Sequence, residues 1–357
     1  MKCTTYTMRS GYDGKQCFVH ARMCATPKYM LATAQYLDVT GCDLFGGIYM
    51  ARSFDEGKTW TELIPQEGLV TTEKDGVITG NCDGTPMYHK KTGKVLLLGH
   101  KVEYLVGAKD PGKYEPATFY SVYNEETDSF SKRAFLELPK DVRPCGNGSG
   151  QALELENGDI LVPVQAMADE NGRYAATVLL CSFDGEKLTF KEKGNDLRFE
   201  VARGLCEPSL IYHDGTYYMT IRNDEAAFVA KSKDGLHYED MHFWAWEDGS
   251  LLQSYNTQQH WAKVDGKLCL IYTRRAEDNG HVTRHRAPLW IAEVEDMHLV
   301  KSTEIAITPQ RGARMGNFGA ISLEDGRAMV MAAEWMQPIG CEKYGSDNSI
   351  FVSVIEE

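Results

Sequence analysis

The sequence predicts an all-β fold, a six-bladed β-propeller with four-stranded antiparallel blades whose ring is closed by the N-terminal strand. The first observation behind this is a repeated hairpin pattern, in which two apolar runs flank a turn that contains glycine. A weaker hairpin at residues 25–37 precedes five clear ones. The five turn glycines are spaced 51 to 65 residues apart: Gly93, Gly158, Gly215, Gly266 and Gly326.

The second observation is that a third strand-like run, and often a fourth, follows each hairpin, which gives the four short strands of a propeller blade. In the first repeat these runs are FGGIYMARS and TWTELI. The last repeat has only three and ends at SIFVSVI, so the N-terminal run CTTYTM would supply its fourth strand. Closure would remove the exposed sheet edges that otherwise promote aggregation. We expect one domain over residues 1–357, with a two-sheet sandwich as the alternative.

The composition is that of an ordinary globular protein, with 43% hydrophobic and 25% charged residues. The 38 basic and 51 acidic residues give a net charge of −13, which disfavours nucleic acid as a partner but allows a local basic pocket for a small acidic molecule. There is no apolar run of transmembrane length, and residues 1–15 lack the apolar core of a signal peptide, so we expect no membrane partner. The ten cysteines form no C-x-x-C pair, which predicts reduced, mostly buried thiols in a cytoplasmic protein of undetermined oligomeric state.

One short motif occurs three times, each time directly after a predicted third strand. Residues 53–60 read SFDEGKTW, the S-x-D-x-G-x-T-W pattern of an Asp box, and degenerate copies lie at residues 182–190 and 232–238. In such a turn the Asp accepts bonds from backbone N–H groups and the Gly adopts a positive φ. We therefore expect the boxes to stabilise blades at the outer rim.

With these boxes, the chain resembles the sialidase superfamily, the six-bladed Asp-box propellers, over nearly its whole length. The resemblance implies a carboxylated sugar held at the centre of the ring by three arginines, an Asp acid/base, and a Tyr nucleophile activated by a Glu. Matched by position, it implies Asp43 as the acid/base, Glu207 in the CEPSLIYHDGTYYMTIR segment as the Glu, and three carboxylate-binding arginines, which are Arg22, Arg222 and Arg286, with Arg284 as second choice for the last. At the position of the Tyr, eight residues before the last Asp-Gly turn, this chain has Asn317.

Polar residues on or beside the predicted innermost strands point to the same region without the resemblance. They are His20, Arg22, Asp83, Gln151, Glu207, Gln258, His260 and Asn317. Buried charges are costly unless paired, so charges that converge on one axis predict either a pocket or a paired network, such as a structural Glu207–Arg222 ion pair. We expect His20, Gln151, Gln258, His260 and Asn317 to contact substrate, and Asp43 and Glu207 to be the two carboxylates that glycoside hydrolysis requires.

The predicted function is exo-cleavage of a terminal acidic sugar, sialic-acid-like or uronic, from a small acidic oligosaccharide or glycoside. One alternative is a lyase or hydrolase of uronic-acid glycans with a histidine base, drawn from His20, His100, His260 and His285. Another is a non-catalytic sugar-binding or scaffold propeller. No cofactor is expected, and no metal is predicted, because neither H-x-H nor H-E-x-x-H spacing occurs.

Overall fold

Six small antiparallel sheets surround a central channel as the blades of a propeller. The structure is a computed structural model and describes residues 1–41, 43–112, 114–147, 149–168 and 172–357. Cys42, one of the ten cysteines predicted to be thiols, lies outside these ranges. The other nine cysteines are free thiols, and all of them except the half-buried Cys3 are buried.

The strands follow the ring in chain order. The N-terminal strand is β1 (Lys2–Arg9), and blade 1 contains β2 (Gln16–Ala25), β3 (Met30–Asp38), β4 (Leu44–Ser53) and β5 (Ile64–Pro65). Blade 2 contains β6 (Thr72–Lys74), β7 (Val77–His89), β8 (Lys94–Leu105), β9 (Thr118–Asn124), β10 (Ser129–Phe130) and β11 (Ala134–Phe135). Blade 3 contains β12 (Cys145–Gly146), β13 (Leu153–Glu154), β14 (Asp159–Met167), β15 (Tyr174–Phe183) and β16 (Leu188–Lys193).

The second half of the ring is built in the same way. Blade 4 contains β17 (Cys206–His213), β18 (Thr216–Arg222), β19 (Ala227–Ser232) and β20 (Tyr238–Phe243). Blade 5 contains β21 (His260–Val264), β22 (Lys267–Tyr272), β23 (Trp290–Glu295), β24 (His298–Leu299) and β25 (Ile305–Ala306), and blade 6 contains β26 (Phe318–Ser322), β27 (Ala328–Ala333) and β28 (Ile350–Glu356). Four 3-10 turns complete the described elements: Glu67–Leu69, Thr283–His285, Lys301–Thr303 and Cys341–Tyr344. None of these has the length or apolar character of a membrane-spanning helix.

The ring closes as the sequence predicts. β1 pairs antiparallel with β28, from Lys2 opposite Glu356 to Arg9 opposite Ile350, and forms the outer strand of blade 6. The five predicted turn glycines all have a positive φ, between 66° and 90°, in the turns that lead into β8, β14, β18, β22 and β27. The six-bladed propeller is therefore confirmed, and the two-sheet sandwich is wrong.

Apolar side chains fill each interface between neighbouring blades. Between blades 1 and 2, for example, Leu31, Ile48, Leu97 and Phe119 are at most 2% exposed. Both faces of each blade are covered in this way, and burial stabilises the fold by roughly 1.5–3 kcal/mol for each such large side chain. This packing fixes the innermost strands, which carry the polar residues of the channel.

The Asp boxes form the predicted turns at the ends of the third strands. In the first box, Ser53 Oγ accepts the N–H of Gly57 at 2.8 Å, and Asp55 accepts the N–H of Thr59 at 2.9 Å. Trp60 Nε1 donates to the Gly57 carbonyl at 3.0 Å. In the third box, Asp234 Oδ1 accepts the N–H groups of both Leu236 and His237 at 2.8 Å.

We expect Ser53→Ala to lower the free energy of unfolding by about 1–2 kcal/mol, because the buried N–H of Gly57 loses its acceptor. Urea denaturation of the purified protein measures this. The exposed Ser302→Ala is the control, and its unfolding free energy should stay within about 0.5 kcal/mol of the native protein. Equal losses in both variants would contradict a stabilising role for the box.

Candidate active site

Three innermost strands carry a β-bulge at the same end of the channel. The pairing register shifts between Val19 and Arg22 in β2, between Cys82 and Thr85 in β7, and between Cys206 and Ser209 in β17. One residue in each bulge has a left-handed backbone: His20 with φ 53°, Asp83 with φ 54° and Glu207 with φ 46°. This conformation costs roughly 1–2 kcal/mol for a residue other than glycine. A bulge redirects a side chain, and all three side chains here line one cavity.

The cavity has a volume of about 290 Å³ and is lined mainly by charged and polar groups. Its basic residues are Arg203, Arg222, Arg284, Arg286 and Arg314, and its acidic residues are Asp43, Asp83, Asp224 and Glu207. The floor is buried, since His20 and Asp83 are 2% and 3% exposed, whereas Arg203 and Arg284 are exposed at the rim. The arrangement suits a small, charged and hydroxylated ligand.

Arg286 is a buried cation without an acidic partner among the described residues. It is 3% exposed, and its guanidinium donates to the Asn256 carbonyl from Nε at 2.9 Å and to Asn317 Oδ1 from Nη1 at 3.1 Å. Burial, together with the nearby charges of Arg222 and Arg314, holds the pKa of Arg286 well below its ordinary value. An anion bound beside Arg286 would compensate this unbalanced positive charge.

Arg222, by contrast, is already neutralised. Its Nη1 donates to Glu207 Oε2 at 2.6 Å, and its Nη2 lies 3.4 Å from Asp224 Oδ1. Burial opposes the charge, but Glu207 raises the pKa of Arg222 overall. Asp224 also accepts two bonds from Arg203, at 2.8 and 2.9 Å, which links the rim to the buried pair.

The other acidic groups belong to blades 1 and 2. Asp43 lies half-buried in the loop before β4, where its carbonyl accepts the Tyr104 hydroxyl. Asp83 accepts Arg22 Nη2 at 2.7 Å and lies 3.4 Å from His20 Nε2. Burial alone would raise the pKa of Asp83, but His20, in its protonated form, and the permanent charge of Arg22 hold it below its ordinary value. For His20 burial acts in the other direction and lowers the pKa, because it disfavours the charged imidazolium.

Six of the ten site residues predicted from the sequence line this cavity: His20, Asp43, Glu207, Arg222, Arg286 and Asn317. Arg284, the second choice to Arg286, lies at the rim, and His100 also lines the cavity. His285 lies outside it, with its Nδ1 2.7 Å from the Tyr255 hydroxyl.

The structure does not bring Arg22 to this cavity. Arg22 is fully buried deeper in the channel, where it donates to the Phe318 carbonyl at 3.1 Å and to Gln258 Oε1 at 3.0 Å. The bulge at His20 is the physical reason, because it directs His20 into the cavity and leaves Arg22 further along the strand. Arg22 instead lines a second cavity of about 850 Å³, together with Gln151 and His260.

Three further predicted residues lie near Arg22 in the channel and do not line the smaller cavity: Gln151, Gln258 and His260. Gln151 Nε2 donates to the carbonyls of Trp261 and Ala320 at 2.9 and 3.0 Å, so it ties blade 3 to blades 5 and 6. Burial, followed by the charge of Arg22, lowers the pKa of His260 to about 3. His260 is therefore a neutral channel residue at physiological pH.

Asn317 supplies no hydroxyl nucleophile and instead accepts a hydrogen bond from Arg286. The cavity contains the phenols Tyr114 and Tyr174, and burial raises the pKa of both. Neither phenol is therefore activated as a phenolate.

Several cavity residues were missed by the sequence reasoning, although the three charged ones each lie within four residues of a predicted site residue. They are Arg203, Asp224, Asn256 and Arg314, together with Tyr114 and Tyr174. Arg203 lies four residues before Glu207, Asp224 two residues after Arg222, and Arg314 three residues before Asn317. A separation of at most four residues from a predicted site residue is the sequence signal that these three share.

Comparisons with known proteins agree with this architecture. Residues 47–303 match the BNR repeat-like domain family. No curated protein matches the chain in sequence.

Solved sialidase structures share the fold at low identity. The Trypanosoma rangeli sialidase in complex with the inhibitor DANA has a TM-score of 0.65 and 16% identity, over 99% of this chain and 59% of that one. The leech intramolecular trans-sialidase gives 0.64 and 14%, over 99% and 70%. The NanB sialidase of Streptococcus pneumoniae gives 0.67 and 13%, over 98% and 70%. This chain thus spans 59% of the length of the trypanosomal enzyme.

Removing the charge of Arg222 should destabilise the fold much more than removing the charge of Arg286. We expect Arg222→Met to lower the free energy of unfolding by about 3–5 kcal/mol, because it leaves the Glu207 carboxylate, whose side chain is only 12% exposed, without its partner. Arg286→Met should change it by less than about 2 kcal/mol, since the unbalanced charge is lost together with its hydrogen bonds to Asn256 and Asn317.

Urea denaturation of both variants without ligand measures the contrast. A loss in Arg286→Met as large as that in Arg222→Met would contradict the assignment of Arg286 as an uncompensated cation.

Proposed function

This chain belongs to the BNR repeat-like domain family and has the fold of the sialidases. We propose that it is a glycosidase that acts on a terminal acidic sugar of a small glycan or glycoside. The observation that carries the proposal is the buried guanidinium of Arg286, which has no acidic partner among the described residues and lies in a polar cavity with Arg222 and Arg314. The T. rangeli sialidase, one of the proteins sharing this fold, is known in complex with sialic acid.

In the proposed complex, the sugar carboxylate binds Arg286 and approaches Arg314 and the rim residue Arg284. A carboxylate suits this place because charge-assisted bonds to guanidinium are strong and can be bidentate. Asn317, already bonded to Arg286, orients that guanidinium. The hydroxyl groups of the sugar would meet Asp83 and Asn256.

Two carboxylates would carry the chemistry. Asp43 donates a proton to the leaving glycosidic oxygen as the bond to the anomeric carbon breaks. Because Asn317 cannot attack, a water molecule forms the new bond to the anomeric carbon, and Glu207 accepts the proton of that water. Glu207 is held by Arg222 at 2.6 Å, which fixes its orientation for this role.

A second candidate is a lyase for uronic-acid glycans. The observation that favours it is His100, which lines the same cavity with a buried Nδ1 that makes no hydrogen bond among the described atoms. His100 would take the proton at C5 while the bond from C4 to the leaving oxygen breaks and that oxygen receives a proton from Asp43. The product would carry a C4–C5 double bond.

We also propose a reducing, cytoplasmic location, on the nine described free cysteines. That location favours an imported oligosaccharide as substrate over a surface polymer.

Aryl glycosides of sialic acid, glucuronic acid and neutral sugars test the primary proposal. We expect release from an acidic glycoside only, with a loss of about 10²–10⁴-fold in kcat/KM for Asp43→Asn, because a general acid is removed. The exposed Asp110→Asn is the matched control and should retain full activity. Release from neutral glycosides at an equal rate would contradict the acidic-sugar assignment.

Uronate oligosaccharides followed by ultraviolet absorbance test the lyase. An absorbance increase in the native protein that is lost in His100→Gln, without release from aryl glycosides, would establish the second candidate in place of the first. No turnover in either assay would favour a sugar-binding propeller.

A further inference from the structure

The floor of the cavity contains three buried side chains whose donor atoms face one another. His20, Cys82 and Asp83 each offer one ligand atom, and these atoms all lie within 4.8 Å of one another. His20 Nε2 is 3.4 Å from Asp83 Oδ1, and Cys82 Sγ is 3.6 Å from Asp83 Oδ2. All three side chains line the cavity.

The hydrogen bonds of Gln35 determine the tautomer of His20. The Gln35 amide nitrogen donates to the carbonyls of Gly46 and Asn81, so its Oε1 is the atom that faces His20 Nδ1, at 3.1 Å. Nδ1 must then carry the proton. In the neutral ring, Nε2 directs a lone pair at Asp83, and Nε2 has no hydrogen-bond partner among the described atoms.

Two acceptors that face each other at 3.4 Å in a buried site repel one another, and an additional proton or a metal ion between them would relieve this repulsion, which the bond from Arg22 Nη2 to Asp83 Oδ1 leaves in place. We propose that this floor binds a divalent transition-metal ion, zinc by its ligand chemistry, through His20 Nε2, Cys82 Sγ and a carboxylate oxygen of Asp83. Nitrogen, thiolate and carboxylate ligands are those that zinc prefers.

The geometry fits such a centre. Tetrahedral zinc with bonds of about 2.0–2.3 Å separates its ligand atoms by roughly 3.3–3.7 Å. His20 Nε2 lies 3.4 Å from Asp83 Oδ1, and Cys82 Sγ lies 3.6 Å from the other carboxylate oxygen, Oδ2, so each of the two donors faces one oxygen of Asp83 at about this separation. Partners of the ligands are also in place, since Gln35 orients the imidazole and Arg22 Nη2 donates to the Asp83 carboxylate at 2.7 Å. Three protein ligands leave a fourth position facing the cavity, as in catalytic zinc sites.

The site has no metal-binding spacing in the sequence because its ligands come from two blades. His20 belongs to the bulge of β2, and Cys82 and Asp83 belong to the bulge of β7. Only the redirected backbones of these two bulges bring the three donors together. The inference does not depend on the glycosidase proposal, since a sugar-binding protein could hold the same ion.

Cobalt and zinc binding to the full chain, stripped with a chelator and reconstituted, test the proposal. We expect one zinc per chain by elemental analysis and, with Co²⁺, a thiolate-to-metal charge-transfer band. Cys82→Ser should abolish the band and weaken zinc binding by at least about 100-fold, the upper end of the loss seen when only an outer partner of a ligand is removed.

Cys206→Ser is the matched control. Cys206 lines the same cavity as Cys82, and each cysteine directly precedes the acidic residue of a β-bulge, Glu207 and Asp83 respectively. The two differ in their cross-strand neighbour, which is Arg222 for Cys206 and His100 for Cys82. The control should retain the band and the zinc affinity.

Absence of metal uptake by the native protein would overturn the proposal. It would indicate instead that a second proton on His20, at Nε2, lies between this ring and Asp83. A band that survives in Cys82→Ser, or that disappears equally in Cys206→Ser, would also overturn it. Thermal melting verifies the fold of each variant. If Cys82→Ser does not fold, His20→Gln takes its place, and unchanged cobalt affinity in that variant would contradict the site.

Discussion

The charge on Arg286 is the constraint from which the properties of the cavity follow. The guanidinium is buried against the Asn256 carbonyl and the Asn317 amide oxygen, which orient it without neutralising it. Its neighbour Arg222 differs, because Glu207 and Asp224 balance that charge. Of these two buried arginines, Arg222 is compensated and Arg286 is not, so Arg286 leaves a stabilising contact for an anionic ligand to make.

The propeller provides this arrangement through its innermost strands. Apolar interfaces hold each blade in place, while bulges at His20, Asp83 and Glu207 turn one polar side chain per strand towards the same end of the channel. Beneath them, Arg22, Gln151, Gln258 and His260 join the blades across the axis. The left-handed conformation at each bulge is unfavourable in isolation and is maintained by the packing around it.

The fold could be predicted from the sequence because its signals are local. Hairpin glycines, Asp boxes and a three-stranded last repeat each report on a few consecutive residues, and all agree with the structure. The local patterns around Glu207, Arg222, Arg286 and Asn317 likewise placed these residues in the cavity.

Arg22 could not be placed in the same way. A one-residue irregularity in a strand exchanges the side chains on its two faces, and nothing in HARMCATP reveals the bulge that sends His20 to the cavity and Arg22 into the channel. The rim pair of Arg203 and Asp224 depends on loop conformation, which is also set by long-range contacts.

The most direct measurement of the central claim is titration calorimetry with a matched pair of ligands, methyl glucuronide and methyl glucoside, alongside free sialic acid. An uncompensated Arg286 predicts that an acidic sugar binds at least about tenfold more tightly than the neutral one, the smallest effect expected of a charge-assisted contact. The preference should disappear in Arg286→Met. Equal affinity for acidic and neutral sugars, or a preference that persists in that variant, would contradict the account.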